Sequence, residues 1–259
     1  MLNEKGIVYN WNIFMEKVGT EFVEPRRQLL LDMYNSLEDR LSICPASDKE
    51  HFHNAFPGGY IDHVLNVINF SKQIYKLWRD NGAIIDYSEE ELIFAAMHHD
   101  LGKVGDLNED YYVENDSQWH RNNMGLMYKF NGNINYMTVS DRAFYILQHF
   151  GIIVSQNEWL GIRLADGLYE EANKSYYIQN DPLKHLKTNI CHVIHQADIM
   201  ASRIEYEKWI LNKKENCETY KYSKKFNQYN KLKKKVENFS SVGTDDEKEK
   251  LFNTIFTKQ

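Results

Sequence analysis

Cysteine, proline and long apolar runs are all scarce in this chain, and each scarcity narrows what it can be. Its 259 residues hold three cysteines, Cys44, Cys191 and Cys217, widely spaced and without a Cys-x-x-Cys pair. That odd, scattered set argues against a disulfide framework and a thiolate zinc site, and it fits a reducing, cytoplasmic setting. No apolar stretch approaches the ~20 residues that a membrane-spanning helix needs, so no membrane partner is expected. The first residues carry Glu4 and no continuous apolar run, unlike a signal peptide. Period-two runs are few, and internal repeats and Gly/Ser linkers are lacking. The net charge of −6 provides no general attraction to nucleic acid.

What is present points to helix. Hydrophobic residues make up 42% and charged residues 26%, with only four prolines and thirteen glycines. The length suits one large domain or two small ones with a sizeable core. Between Gln28 and Leu41, the residues Leu30, Met33, Tyr34, Leu37 and Leu41 recur at helical spacing, and Cys44-Pro45 ends the run. A loop with His51 and His53 leads to a second helix over about Ile61–Arg79. Ser88 and Glu91 form a capping box for a third, which Gly102 is placed to terminate. Residues 103–120 read as a polar loop with a short element near His120. Asp141 is placed to cap a helix that carries His149 and that Gly151 stops. Further helices are expected over Asn157–Asn173, from about Leu186 to beyond Trp209, and over about Asp246–Phe256. The lysine-rich segment Lys213–Lys235 reads as a solvated helix or flexible arm, with a nucleic-acid or partner contact as the alternative. The expected fold class is all-α. It comprises an N-terminal helical extension (1–50), a central domain (51–210) and a lysine-rich C-terminal helical extension (211–259) packed on or flanking it.

The most informative feature is His99-Asp100, which closes the run Glu91-Leu-Ile-Phe-Ala-Ala-Met-His-His-Asp-Leu-Gly-Lys103. Two adjacent metal-ligating side chains at a helix end, followed by glycine and lysine, suit a site where a divalent cation meets a phosphate. Imidazoles with carboxylates favour first-row divalent ions, whereas an oxygen-only shell favours calcium or magnesium. His63, His120, His149 and Asp198 recur in helical settings on either side. His98 reads as a residue of the core or of the site's surroundings. His195, one turn before Asp198, shares that residue's face. The stretch Arg163–Asn173 is either a substrate-contacting segment or ordinary helix surface.

The order His63…His99-Asp100…Asp198 resembles the HD superfamily of metal-dependent phosphohydrolases. The resemblance rests on Pro57-Gly-Gly-Tyr-Ile-Asp-His63, His99-Asp-Leu-Gly-Lys103 and Gln196-Ala-Asp198, and it covers roughly residues 52–205. It implies a helical bundle in which His63, His99, Asp100 and Asp198 converge on a metal. His120 and His149 fall where two-metal branches of the superfamily supply two more histidines, with Asp100 bridging the ions. Those branches often carry His-His-Gly where this chain has His149-Phe150-Gly151. The implied cofactor is a divalent metal, two ions per chain, with Mn, Fe, Co, Ni, Zn and Mg not distinguished.

The implied chemistry is attack of a metal-activated hydroxide on a phosphomonoester or phosphodiester. Metal binding lowers the pKa of water from about 15.7 toward about 7. Lys103 is placed to bind a phosphate oxygen as a point charge, or else to act as a helix-end cation. The expected catalytic residues are Asp100, Lys103 and His195. A small phosphorylated substrate, a nucleotide, is favoured over nucleic acid, because no β-rich module precedes His63 to grip a single strand. The alternative is a di-iron oxygenase of the same fold, similar to the myo-inositol oxygenases, that cleaves a C–C or C–P bond with dioxygen. The third reading, a binding module with a vestigial site, fits poorly with a complete ligand set.

Overall fold

The apolar stripes of the helices set how the chain packs, and the packing carries the histidines inward. The computed structural model describes residues 2–215, and among these the fold is all-α, with nine α-helices and one two-stranded ribbon. Helix α1 (Glu4–Glu21) starts at Asn3, whose side chain accepts from the Gly6 amide, and it buries Trp11, Phe14 and Val18. This helix was not among those expected, although its three buried residues stand at helical spacing. Helix α2 (Arg26–Leu41) buries the expected Leu30, Met33, Tyr34, Leu37 and Leu41. Helix α3 (Gly59–Asp80) turns Val64, Val67 and Ile68 inward together with His63. Helix α4 (Glu89–His98) begins in the expected Ser88/Glu91 capping box and buries every residue from Leu92 to His98.

After α4 the chain tightens into a 3-10 turn, Leu101–Val104. The segment expected as loop then holds strand β1 (Tyr112–Glu114). Helix α5 (Gln118–Met124) connects it to β2 (Tyr128–Phe130), which pairs antiparallel with β1, Tyr112 opposite Phe130. Strands of three residues are too short to leave a period-two signature. Helix α6 (Val139–His149) is capped by the Thr138 hydroxyl, not by Asp141, which lies within the first turn. Gly151, at φ +68, stops it as expected.

Helix α7 (Gln156–Arg163) has its own capping box, Ser155 with Glu158. The expected helix Asn157–Asn173 ends early at Arg163. Gly167 adopts φ +54 there, and a Cβ on it would lie 2.4 Å from the His195 ring, so the chain turns where α9 presses on it. Two 3-10 turns, Gly167–Tyr169 and Glu171–Asn173, and helix α8 (Lys174–Tyr177) follow. Helix α9 (Ile190–Glu215) completes the described chain.

Phe14, Leu30 and Tyr34 share one core with Val64, Ile68, Phe94, Ile194 and Ala197, so α1 and α2 back the helices that carry the candidate ligands. Arg26 of α2 clamps the fully buried Glu158 of α7 through two bonds of 2.6 and 2.7 Å. The first compact unit extends to Trp209, and a second begins at Ile210. Cys217, the lysine-rich segment beyond Glu215 and the expected helix Asp246–Phe256 lie outside the described residues.

Gly102 does not terminate α4. It lies inside the 3-10 turn, and a Cβ there would come 2.0 Å from the Val139 carbonyl oxygen at the start of α6. Its task is close approach. Gly102→Ala therefore forces α6 away from the His99-Asp100 turn, and overpacking of this kind costs about 3 kcal/mol. A lowered midpoint in urea unfolding is the expected result, and an unchanged midpoint would refute the packing argument.

Candidate metal centre

The entry to α3 is shaped by the Pro57-Gly-Gly segment. Gly58 takes φ +80, and a Cβ on Gly59 would lie 2.0 Å from the Asn54 carbonyl oxygen. Only small residues let the preceding loop fold back against the first turn of α3. The Asn54 amide fixes that fold by donating to Asp62 Oδ2 at 2.9 Å, while Asn10 donates to Oδ1 at 2.9 Å. As a result the His53 ring sits 4.7 Å from the ring of His63.

His63 is fully buried. Its Nδ1 donates to Glu205 at 3.0 Å, and Asn66 donates to the same carboxylate at 2.8 Å. This leaves Nε2 facing Asp198 Oδ1 at 3.1 Å and Asp100 Oδ2 at 3.8 Å. His99, the residue that closes α4, donates from Nδ1 to the Ala96 carbonyl at 2.9 Å. Its Nε2 is thereby turned toward Asp100 Oδ2 at 3.5 Å and Asp198 Oδ1 at 3.9 Å. Neither Nε2 has a partner with hydrogen-bond geometry, and both are buried. On α9, Ser202 donates to Asp198 Oδ1 at 3.3 Å and steadies that carboxylate. Lys103 reaches back to Asp100 Oδ2 at 2.6 Å.

The electrostatics follow from this crowding. Burial opposes charge on Asp198, but the His63 ring and the charges of His99 and Lys103 outweigh it and hold the carboxyl well below its usual range. Asp100 is likewise lowered against burial, by Lys103, His99 and His63. Burial pulls His63 down, yet Glu205 and Asp198 prevail and push it up to about 10. Burial also opposes the Lys103 ammonium, which Asp100 stabilises above its ordinary value. Two ionised carboxylates thus need nearby positive charge, and in the protein alone a proton on His63 and the Lys103 ammonium provide it.

This donor set fits a divalent ion. A buried polar atom without a partner costs about 1–3 kcal/mol, and two imidazole nitrogens aimed at two carboxylates share that cost at one point. Within the described residues, His63, His99 and Asp198 offer ligand atoms within 4.8 Å of one another, as do His53, His63 and Asp100. The loop before α3, α3 itself, the end of α4 and α9 deliver them. The Nδ1 of His63 and of His99, turned away from the cluster, are each fixed by an oxygen acceptor, the usual arrangement behind metal-binding histidines.

The other residues singled out in the sequence are placed elsewhere. His120, exposed on α5, is hydrogen-bonded through Nδ1 to Ser117 Oγ at 2.6 Å. His149, exposed at the end of α6, packs its ring edge-on against Phe150. Neither belongs to a candidate ligand group among the described residues. His98 points into the core, donating to the Phe94 carbonyl and accepting from the Tyr34 hydroxyl at 2.8 Å, and burial pushes it down to about 3. His195 donates to the Ala165 carbonyl at 2.6 Å and so braces the turn that holds Asp166. Desolvation and the charge of Asp100 raise the Asp166 carboxyl.

Two residues escaped the sequence argument. Glu205 stands seven positions after Asp198, two helical turns along the same face, and that spacing was the available signal. His53 was visible only as a loop histidine ahead of Pro57-Gly-Gly. Compared with known proteins, the chain matches no family model, no curated protein and no solved structure.

Glu205 fixes the ring of His63 from behind. Glu205→Ala should weaken divalent-metal affinity about 10–100-fold, the usual cost of losing such a partner. Isothermal titration with manganese or zinc measures it, and wild-type affinity would remove Glu205 from the centre.

Proposed function

We propose that this protein is a metal-dependent phosphohydrolase of the HD type, acting on a phosphomonoester or phosphodiester of a small nucleotide. One observation carries the reading. His63, His99, Asp100 and Asp198 meet in a single cluster, with the Lys103 ammonium against Asp100. The same four residues carry the resemblance in the sequence, at His63…His99-Asp100…Asp198.

A divalent ion bound there would supply Lewis acidity toward a phosphoryl oxygen and an acidified water. The chain's own groups do the rest. Glu205 and the Ala96 carbonyl lock the two imidazoles with Nε2 inward. Asp100 and Asp198 stay ionised at neutral pH, as ligands must. Lys103 has three N–H donors, of which Asp100 takes one, so the others can meet a phosphoryl oxygen as negative charge develops. A cleft of about 380 Å³ shares Lys103 and is lined also by Arg40, Ile43, Tyr112 and Tyr128. Aromatic faces beside a cation suit a nucleoside attached to the phosphate, and a volume of this order suits a small ligand.

Metal-loaded protein should release phosphate or a nucleotide from nucleotide substrates equally well with and without oxygen. Lys103→Ala should slow that reaction about a hundredfold or more without lowering metal content. Lys103→Arg should rescue poorly, because a planar fork does not replace a compact charge. An absolute need for dioxygen would overturn the hydrolase reading in favour of the oxygenase.

A further inference from the structure

We propose that His53 is a fifth protein ligand of the same metal ion, so that the centre holds one ion on His53, His63, His99, Asp100 and Asp198 instead of two ions completed by His120 and His149. The proposal rests on the metal-centre reading above and extends it to a residue outside the motif.

Three observations bear on His53. A ring nitrogen of His53, one of His63 and an oxygen of Asp100 lie within 4.8 Å of one another. His53 Nε2 is buried and has no hydrogen-bond partner. The loop that presents the ring is held in place by Asn54 and Gly59, and Ser47 Oγ donates to the His53 carbonyl at 2.7 Å. A solvated loop histidine needs none of this. A ring nitrogen kept from water beside another imidazole and a carboxylate is short of a cation or a proton, and a shared cation satisfies both rings at once.

The number of ions follows from His63. Both candidate groups contain it, yet its Nδ1 is occupied by Glu205. Only the Nε2 lone pair remains, and one lone pair binds one ion. The two groups cannot each hold an ion through His63, and with His120 and His149 outside both groups a single shared position is the arrangement we infer. Three imidazoles and two carboxylates leave room in a six-coordinate shell for one oxygen from water or phosphate, and they favour a first-row divalent ion.

The test uses the full chain stripped of metal and titrated with manganese or zinc by calorimetry, with bound metal counted by elemental analysis. Wild type should bind one ion per chain. His53→Phe, which keeps a ring in the loop but removes the donor, should weaken affinity about tenfold or more, at least the cost of losing an outer partner. His53→Asp, which restores a donor oxygen, should recover part of it. In the cobalt-loaded protein, His53→Phe should change the visible spectrum, which reports coordination directly. His120→Ala and His149→Ala should leave affinity and stoichiometry unchanged. Wild-type affinity with an unaltered cobalt spectrum in His53→Phe overturns the role of His53 while leaving the metal centre standing. Two ions per wild-type chain, one lost in His120→Ala or His149→Ala, overturns the single-ion arrangement. Failure of the wild type to bind any divalent metal overturns the proposal together with the centre on which it rests.

Discussion

The centre of the fold answers to one electrostatic demand, the need of two carboxylates, one buried and one half-buried, for positive charge. Asp100 and Asp198 lie among groups that remove water, and ionised carboxylates in such a place must be paired. The structure meets the demand from two directions, with Lys103 from the turn after α4 and a protonated His63 from α3. If α3, α4 and α9 slid against one another by one helical turn, about 5.4 Å, the compensation would be lost. The register of these helices is thus tied to the cluster as well as to the core beneath it.

The core beneath explains why the register holds. Phe94 and His98 on α4 pack against Tyr34 and Phe22 on the N-terminal side, and the His98 ring is kept neutral by burial. His98 and His99 are neighbours in sequence with opposite duties. The side chain of one is satisfied by Phe94 and Tyr34, while the other keeps Nε2 unpartnered among carboxylates. Consecutive residues on a helix point about 100° apart, so a two-histidine sequence at a helix end can serve core and site together.

Much of this was legible from residues alone. The stripe Leu30, Met33, Tyr34, Leu37, Leu41, the Ser88/Glu91 box and the stop at Gly151 each rest on local chemistry, and local chemistry survives folding. The convergence of His63, His99, Asp100 and Asp198 was anticipated from flanking motifs, not from periodicity. What was illegible depends on distant partners. The turn at Gly167 lies tight against the His195 ring, far along the chain, and Gly102 lies tight against Val139. His53 and Glu205 join the cluster only through tertiary approach. His120 and His149 read as ligands from the resemblance to two-metal branches, and the structure places both at exposed positions outside the candidate groups of the described residues. Ser117 caps α5 and hydrogen-bonds the His120 ring at its exposed edge.

The pairing of Lys103 with Asp100 bears on how many ions such a centre requires. In a two-ion centre a bridging carboxylate gives one oxygen to each metal, and the second ion supplies the extra positive charge that draws the phosphate. Here the ammonium of Lys103 already stands 2.6 Å from Asp100 Oδ2, in the place that such an ion would neutralise. One divalent ion with Lys103 would bring three positive charges against Asp100 and Asp198 and, behind His63, Glu205, so the cluster would come to balance. Two ions in addition to Lys103 would gather three cations around the one Asp100 carboxylate, and cations about 4 Å apart repel one another. The lysine that follows His99-Asp100-Leu-Gly is therefore more than a surface charge near the site. In the proposed hydrolase, that position would let one ion and the Lys103 ammonium share the task of holding a phosphoryl group.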